Sequence, residues 1–295
     1  METSRRELLI GAAGLLGAAA IGGRAEATGA PLRLVTAPLR AGRSSRVRVS
    51  GAPPGAMVSL CVGVGGVGPG PCLGLACLDV AAPVRVVASA AADASGVASF
   101  LLPVPAGVAG REVGLQGIVD GTGEVTPSVL TKILGLPLGR TPVNPLGPYF
   151  LPNAPVRDDL DLYGEAATPW LLEGHVVSTA GVPMPGVTIE VWHADPAGDY
   201  DLTSADMRYR GTIVSGAAGE WCLRTLRPGV YGAPGATRPC HAHIRLSMAG
   251  AELLVTQLYP DDDPQVIAGG ARAGLVVRMV DDPSGVQRAT FTFVL

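Results

Sequence analysis

The sequence predicts an all-β chain: an immunoglobulin-like β-sandwich followed by a second, larger sandwich. Three observations carry this. Apolar residues alternate with polar ones in short runs, the 41 Gly and 26 Pro sit mostly between those runs, and no segment of the second half keeps a helical apolar period. At 295 residues the chain is long enough for two domains with separate cores. The Val, Leu and Ile content and a net charge of only -3 argue for a folded chain rather than a disordered one.

Residues 1–30 read as an address. Ser4-Arg5-Arg6-Glu7-Leu8-Leu9 precedes an uncharged run from Leu8 to Gly23, and Ala25-Glu26-Ala27 has the small-x-small pattern of a signal-peptidase site. The run is shorter and richer in Gly and Ala than the ~20 apolar residues that span a bilayer. Its paired arginines point to twin-arginine export to a periplasmic or extracellular destination; an ordinary Sec signal or a membrane anchor is the alternative. No later segment approaches a transmembrane span.

From residue 31 to 138 the expected strands are Ser45–Ser50, Met57–Val64, Val84–Ala88, Gly96–Pro103, Glu112–Val119 and Val129–Leu134. Turn clusters such as Gly51-Ala52-Pro53-Pro54-Gly55 separate them. This part holds no histidine and no catalytic cluster, so it reads as an accessory module. Residues 139–147, rich in Pro and Gly, read as its linker.

Residues 148–295 again read as strands: Trp170–Val177, Val187–His193, Arg208–Val214, Glu220–Leu226, His241–Met248, Glu252–Leu258, Leu275–Val280 and Val286–Val294. Two facing sheets would bury their alternating apolar faces.

Charge and cysteine usage exclude several functions. The chain has no Arg/Lys cluster with interleaved aromatics, so nucleic acid is not an expected partner. Its 5 Cys include no Cys-x-x-Cys, which leaves a thiol-ligated zinc site without support. Cys72 and Cys77 are the first pair expected to form a disulfide, across a Gly-containing loop; the connectivity of Cys61, Cys222 and Cys240 stays open. A homo-oligomer is compatible with the sequence.

The candidate chemistry begins at His241-Ala242-His243. Residues two apart on a strand project from one face, roughly 6–7 Å apart, and two imidazoles so placed can share a metal. Alone such a pair is often a structural accident. His175 and His193 read as hydrogen-bonded core or surface residues, and Asp261-Asp262-Asp263 as a solvated loop, since the Gly and bidentate Glu of a calcium loop are absent.

The surrounding residues resemble the intradiol ring-cleavage dioxygenases. Arg238-Pro239-Cys240-His241-Ala242-His243 is similar to that family's Arg-Pro-x-His-x-His element. Gly147-Pro148-Tyr149-Phe150 with Pro155 and Arg157, Glu190-Val191-Trp192-His193-Ala194-Asp195 with Gly198 and Tyr200, Arg210-Gly211, Gly219-Glu220-Trp221, Arg224-Thr225, Pro228-Gly229-Val230-Tyr231 and Thr256-Gln257-Leu258-Tyr259 appear in the family's order. The resemblance runs from about Pro142 to Pro264.

By position it implies Fe(III) held by Tyr200, Tyr231, His241 and His243. Tyr231 would also act as a base when it leaves the metal, Arg238 would stabilise the electron-rich substrate, and Gln257 would orient substrate or a ligand. A hard ferric ion suits such a set, because it favours anionic oxygen donors. The implied reaction opens a catechol-type ring between its hydroxyls with O2, giving a cis,cis-muconate-type diacid without added reductant.

Departures are Leu146 before Gly-Pro and Ser215-Gly216 before the turn, neither at a ligand. A non-catalytic secreted β-sandwich for adhesion or carbohydrate binding is the main alternative, since Gly174–Val191 also resembles transthyretin-like repeats. A cupin-like zinc or ferrous enzyme would want a further histidine after His243, and none follows. No ligand candidate precedes Gly147, so a chain starting near Thr141 is expected to retain the site.

Overall fold

The computed structural model describes residues 31–232, 237–282 and 284–295; the leader read in residues 1–30 lies outside the described residues. The first half carries β1 (Arg33–Thr36), β2 (Ser44–Ser50), β3 (Met57–Gly63), β4 (Cys72–Leu73), β5 (Ala76–Cys77), β6 (Val84–Ala91), β7 (Ala98–Pro103), β8 (Glu112–Val119) and β9 (Val129–Lys132). They form the sheets β1-β2-β7 and β6-β3-β8-β9, with β4-β5 a separate hairpin closed by the Cys72–Cys77 disulfide. Alternation explains the packing: Val47 and Val49 of β2 turn inward onto Leu60, Phe100 and Leu115, while Arg46 and Arg48 face out. The short β1 and the β4-β5 hairpin were not expected, because so few residues carry no readable period.

The second half carries β10 (Pro169–Val177), β11 (Thr188–Trp192), β12 (Arg210–Val214), β13 (Glu220–Leu226), β14 (Ala242–Met248), β15 (Ala251–Pro260), β16 (Val276–Val277), β17 (Val280–Asp281) and β18 (Gln287–Val294). Their sheets are β12-β11-β14-β15-β16 and β13-β10-β18-β17. Trp170, Leu172, Val176, Ile189, Ile244 and Phe293 fill the space between, each buried side chain contributing ~1.5–3 kcal/mol.

Several expected strands end two or three residues away from the observed ones, and two of the differences have a clear cause. The run Leu275–Val280 divides, because β16 pairs with β15 and β17 with β18, so the chain changes sheets between them. The strand expected from Arg208 starts at Arg210, since Met207 and Tyr209 sit at positive φ, 48° and 53°, outside the β region.

The expected linker is a packed strip. Thr141 N–H donates to Val294 O at 3.0 Å and Asn144 N–H to Val255 O at 2.9 Å. Thr256 Oγ1 donates to Pro142 O at 2.8 Å. The outer face of β10 and β18 is covered as well. There Arg288 pairs with Glu173 and donates to Ser128 O at 2.7 Å, and Leu130 N–H donates to Glu173 Oε1 at 3.3 Å. The acidic triplet is only partly a solvated loop: Asp263 is buried and accepts Cys240 N–H at 3.0 Å, which anchors the chain just before His241. Among the described residues no helix is long and apolar enough to cross a membrane.

Candidate metal centre

β14 supplies the centre of the site. Its register puts Trp192 of β11 on one side of His243 and Gln257 of β15 on the other. Trp192 lies flat on His243, ring centroids 4.8 Å apart at 9°. Gly147 closes over the ring: a Cβ there would stand 3.0 Å from His243 Cε1, tighter than ordinary contact.

Two loops bring the tyrosines. Asp195 Oδ1 accepts the N–H groups of Ala197 and Asp199, both at 2.9 Å, which curls the chain after β11 and delivers Tyr200. The second loop carries Tyr231, whose carbonyl accepts Arg238 N–H at 2.7 Å. Gly198, at φ +99°, joins the loops, because a Cβ there would stand 2.3 Å from Val230 O. Only glycine allows this approach.

All four side chains assigned by the resemblance are therefore neighbours. Ring centroids are 5.2 Å apart for Tyr200 and Tyr231, 5.5 Å for Tyr231 and His241, 6.1 Å for Tyr200 and His243, and 4.8 Å for the two histidines. The imidazole Nε2 atoms face one another at 3.2 Å. Arg238 lies 6.0 Å from the Tyr231 ring centroid and donates to Gln257 Oε1 at 3.2 Å. His193 and His175 are elsewhere, one bonded to Ala194 O and Thr225 Oγ1 at 2.7 Å each, the other to Thr36 O at 2.9 Å.

Electrostatics sets the protonation states. Burial holds His241 at about 4 and, with His241 and Arg238 adding to it, His243 at about 2, so both are neutral at pH 7. Burial pushes the Tyr200 and Tyr231 phenols up, with Arg238 acting the other way on both. Neither phenol ionises without a cation beside it.

One atom tests whether a metal fits. Tyr200 Oη is buried without a hydrogen-bond partner, a situation that costs ~1–3 kcal/mol unless something else supplies one. A hard cation between that oxygen and the two imidazoles would supply it. Among the described residues no three His, Cys, Asp or Glu side chains cluster, so a metal here requires the tyrosines. Fe(III), which favours phenolate oxygen, fits this donor set.

Several residues here had no role assigned from sequence. Tyr149 stacks on Tyr200 at 4.2 Å and meets Tyr231 edge-on at 5.7 Å. Asn144 Nδ2 donates to Tyr259 Oη at 3.2 Å and reaches Gln257 Oε1 at 3.4 Å. Tyr149, Trp192 and Tyr259 stood only as motif letters, and Asn144 lay in the supposed linker. A cavity of about 770 Å³ lies elsewhere, between β1, residues 127–130 and the outer face of β10 and β13. None of Tyr200, Tyr231, His241 and His243 lines it, and its His175 is already bonded to Thr36 O, so the aromatic and histidine cluster holds the candidate chemistry.

Comparison with known proteins bears on the same residues. The family profile described as Dioxygenase matches residues 146–295, half of the chain. Catechol 1,2-dioxygenase 1 of Acinetobacter lwoffii is 34% identical over 151 residues, 43% of this chain and 49% of that protein. Chlorocatechol 1,2-dioxygenase of Pseudomonas sp. (strain P51) is 36% identical over 133 residues, 38% of this chain and 53% of that protein. The chain thus spans about half the length of the curated relatives it matches. Among solved structures, the dioxygenase domain of a dioxygenase carbohydrate-binding protein fusion from Streptomyces sp. SirexAA-E is 34% identical at a TM-score of 0.48, covering 53% of this chain and 98% of that one. On the profile match, which takes in Tyr200, Tyr231, His241 and His243, the chain belongs to the intradiol ring-cleaving dioxygenase family.

Proposed function

We propose that this protein is an exported, Fe(III)-dependent intradiol dioxygenase that opens a small catechol-type ring between its hydroxyls with O2 to give a cis,cis-muconate-type diacid. The observation that carries this is the partnerless, buried Tyr200 Oη beside two neutral imidazoles whose Nε2 atoms face one another. The relatives are named for catechol, chlorocatechol and hydroxyquinol. The export leader in residues 1–30, the accessory reading of residues 31–138 and the catalytic reading of 148–295 belong to the same proposal.

Tyr200, Tyr231, His241 and His243 would hold the ion. Once bound, Fe(III) supplies the Lewis acidity that ionises the phenols and the electron acceptance that makes a catecholate ring reactive towards O2. Tyr231 is only half-buried, whereas burial is deeper around Tyr200 Oη, so Tyr231 is the phenol able to swing aside. Its Oη, as phenolate, would take up a proton from one substrate hydroxyl. Arg238 donates to the substrate oxygen that becomes anionic. Tyr149 offers a flat wall for a planar ring, while Trp192 and Phe150, edge to face at 5.0 Å, keep water from behind His243.

The test is oxygen uptake by the iron-loaded protein with catechol, hydroxyquinol, chlorocatechol and protocatechuate, without reductant. A diacid product is expected. Yellow semialdehydes, from cleavage outside the hydroxyl pair, would sink the reading.

A further inference from the structure

The proton arrangement around His243 is closed, and a bound cation cannot accept it as it stands. His241 Nδ1 lies 2.6 Å from Pro239 O, which only accepts, so Nδ1 carries the hydrogen and Nε2 is a bare lone pair. Gln257 Nε2 stands 3.2 Å from His243 Nδ1 and donates to Pro145 O at 3.1 Å. Gln257 Oε1 faces Arg238 Nη2 at 3.2 Å, Asn144 Nδ2 at 3.4 Å and the Tyr259 hydroxyl.

The sense of that carboxamide is fixed twice over. Arg238 has only donors and demands the oxygen, while Pro145 O has only lone pairs and demands the NH2 group. The NH2 group therefore donates to His243 Nδ1, and the single hydrogen of this neutral ring sits on Nε2, pointing at the bare Nε2 of His241.

Two imidazoles sharing one cation must both present bare Nε2 atoms. His241 already does. For His243 the hydrogen must leave Nε2 and one must arrive on Nδ1, through solvent, with the ring still neutral. Gln257 would then set NH2 against N–H, donor against donor.

We propose that Gln257 is a two-position switch, which turns its carboxamide over when both imidazoles bind one cation and thereby releases Arg238 towards an anionic substrate oxygen. After the turn, Oε1 accepts from His243 Nδ1–H and the NH2 group donates to Tyr259 Oη. The Tyr259 hydroxyl both donates and accepts, and Asn144 can turn to offer its oxygen, so both adapt. Pro145 O and Arg238 cannot, and Arg238 is the group that lies beside Tyr231. In the metal-free protein Arg238 is held on Gln257; in the loaded protein it is free. This rests on the metal-centre reading above.

The test uses the 15N-labelled full chain with Ga(III), a redox-inert hard trivalent ion, read by 1H–15N correlations of the His243 ring and the Gln257 side chain. The hydrogen of His243 is expected to move from Nε2 to Nδ1 on loading, and the Gln257 NH2 group to lose its proximity to Pro145. Gln257→Glu serves as a locked control, since a carboxylate accepts from His243 and Arg238 together and needs no turn. Its Ga(III) form should bind 4-nitrocatechol roughly ten-fold more weakly than the parent, because Arg238 stays paired. If Ga(III) engages both imidazoles while the Gln257 NH2 group stays on Pro145, or if Gln257→Glu binds the analogue as tightly as the parent, the switch is wrong although the metal centre stands. If Ga(III) engages neither imidazole, the metal centre itself is wrong and the switch goes with it.

Discussion

Trp192 and His243 are direct cross-strand partners on β11 and β14, and the indole lies flat on the imidazole at 4.8 Å. The stack fixes the ring plane of His243, and through it the direction of Nε2. Trp192 Nε1 is itself buried without a partner. Trp192→Leu should therefore lose ~3 kcal/mol of stability through the void it leaves. Trp192→Phe should lose about 1, because the smaller ring still packs and an unpaired N–H disappears. Denaturant unfolding of the metal-free proteins checks the order, and equal losses would show that the indole ring does not set the packing.

Gly198 tests the joining of the two tyrosine loops. A methyl group there would stand 2.3 Å from Val230 O on a residue at φ +99°, so the loops must part. The contact is remote from the core, which predicts a protein that folds but binds iron at least ten-fold less tightly, in the range seen when groups supporting a ligand are lost. Iron content after dialysis, beside circular dichroism, reads both halves. Unchanged iron in a folded Gly198→Ala protein would remove the loop contact from the argument.

Strand parity was enough to put His241 and His243 on one face, because a period of two survives without knowledge of the partner strands. The tyrosines had no such signal. Each lies on an irregular loop, and only the order of the family's elements marked them. Asn144 was hidden for a different reason: Pro and Gly around it signal a linker, whereas its backbone bonds to Val255 and its side chain to Tyr259 depend on tertiary contact alone. The sheet change that splits Leu275–Val280 was equally unreadable, since a continuous apolar run says nothing about which sheet each residue joins.

All 4 histidines of the chain are buried, and burial lowers every one, His193 and His241 to about 4 and His243 to about 2. Their ordinary value in an unfolded chain is ~6.5. Below it the unfolded state takes up protons that the folded state refuses, so the stabilising contribution is present above about pH 6.5 and is lost as pH falls towards 4 and beyond. Each group adds a slope of roughly 1.4 kcal/mol per pH unit in that window. Unfolding of the metal-free protein from pH 7.5 to 4.5 should show a steep acid side. His193→Gln should flatten it, and a flat profile in the parent would mean that the imidazoles are not excluded from water.

The Glu173–Arg288 pair bears on a chain starting near Thr141. Such a chain keeps Asn144 and every ligand candidate, but it loses Ser128 and Leu130, which satisfy Arg288 and Glu173, and Thr36, which satisfies His175. Breaking up buried charged groups in this way costs about 3–5 kcal/mol. The shortened chain should therefore aggregate, and the same chain with Glu173→Leu and Arg288→Met should be soluble and take up iron. A shortened chain that is soluble with Glu173 and Arg288 intact would show that the covered face tolerates water.

Tyr200→Phe should separate function from stability by moving them in opposite directions. In the metal-free protein Tyr200 Oη is a buried polar atom with nothing to bond, so deleting it removes a desolvation penalty, with a gain of ~1 kcal/mol expected. For iron the same oxygen is an anionic donor that no neighbour replaces: Tyr231 and both histidines have their own positions, and Tyr149 stacks on the ring at 4.2 Å rather than pointing at its end. Iron retention should fall well beyond the ~10–100-fold typical of residues that only support a ligand. Tyr231→Phe makes the contrast, because its hydroxyl has Arg238 beside it, so no gain in metal-free stability is expected, and iron loss should be milder. The measurements are the melting temperature of each metal-free protein and the iron content and visible phenolate-to-iron absorbance after loading. A Tyr200→Phe protein that is less stable than the parent, or that keeps iron and the visible band, would show that the buried hydroxyl is packed for stability and not held open for a metal.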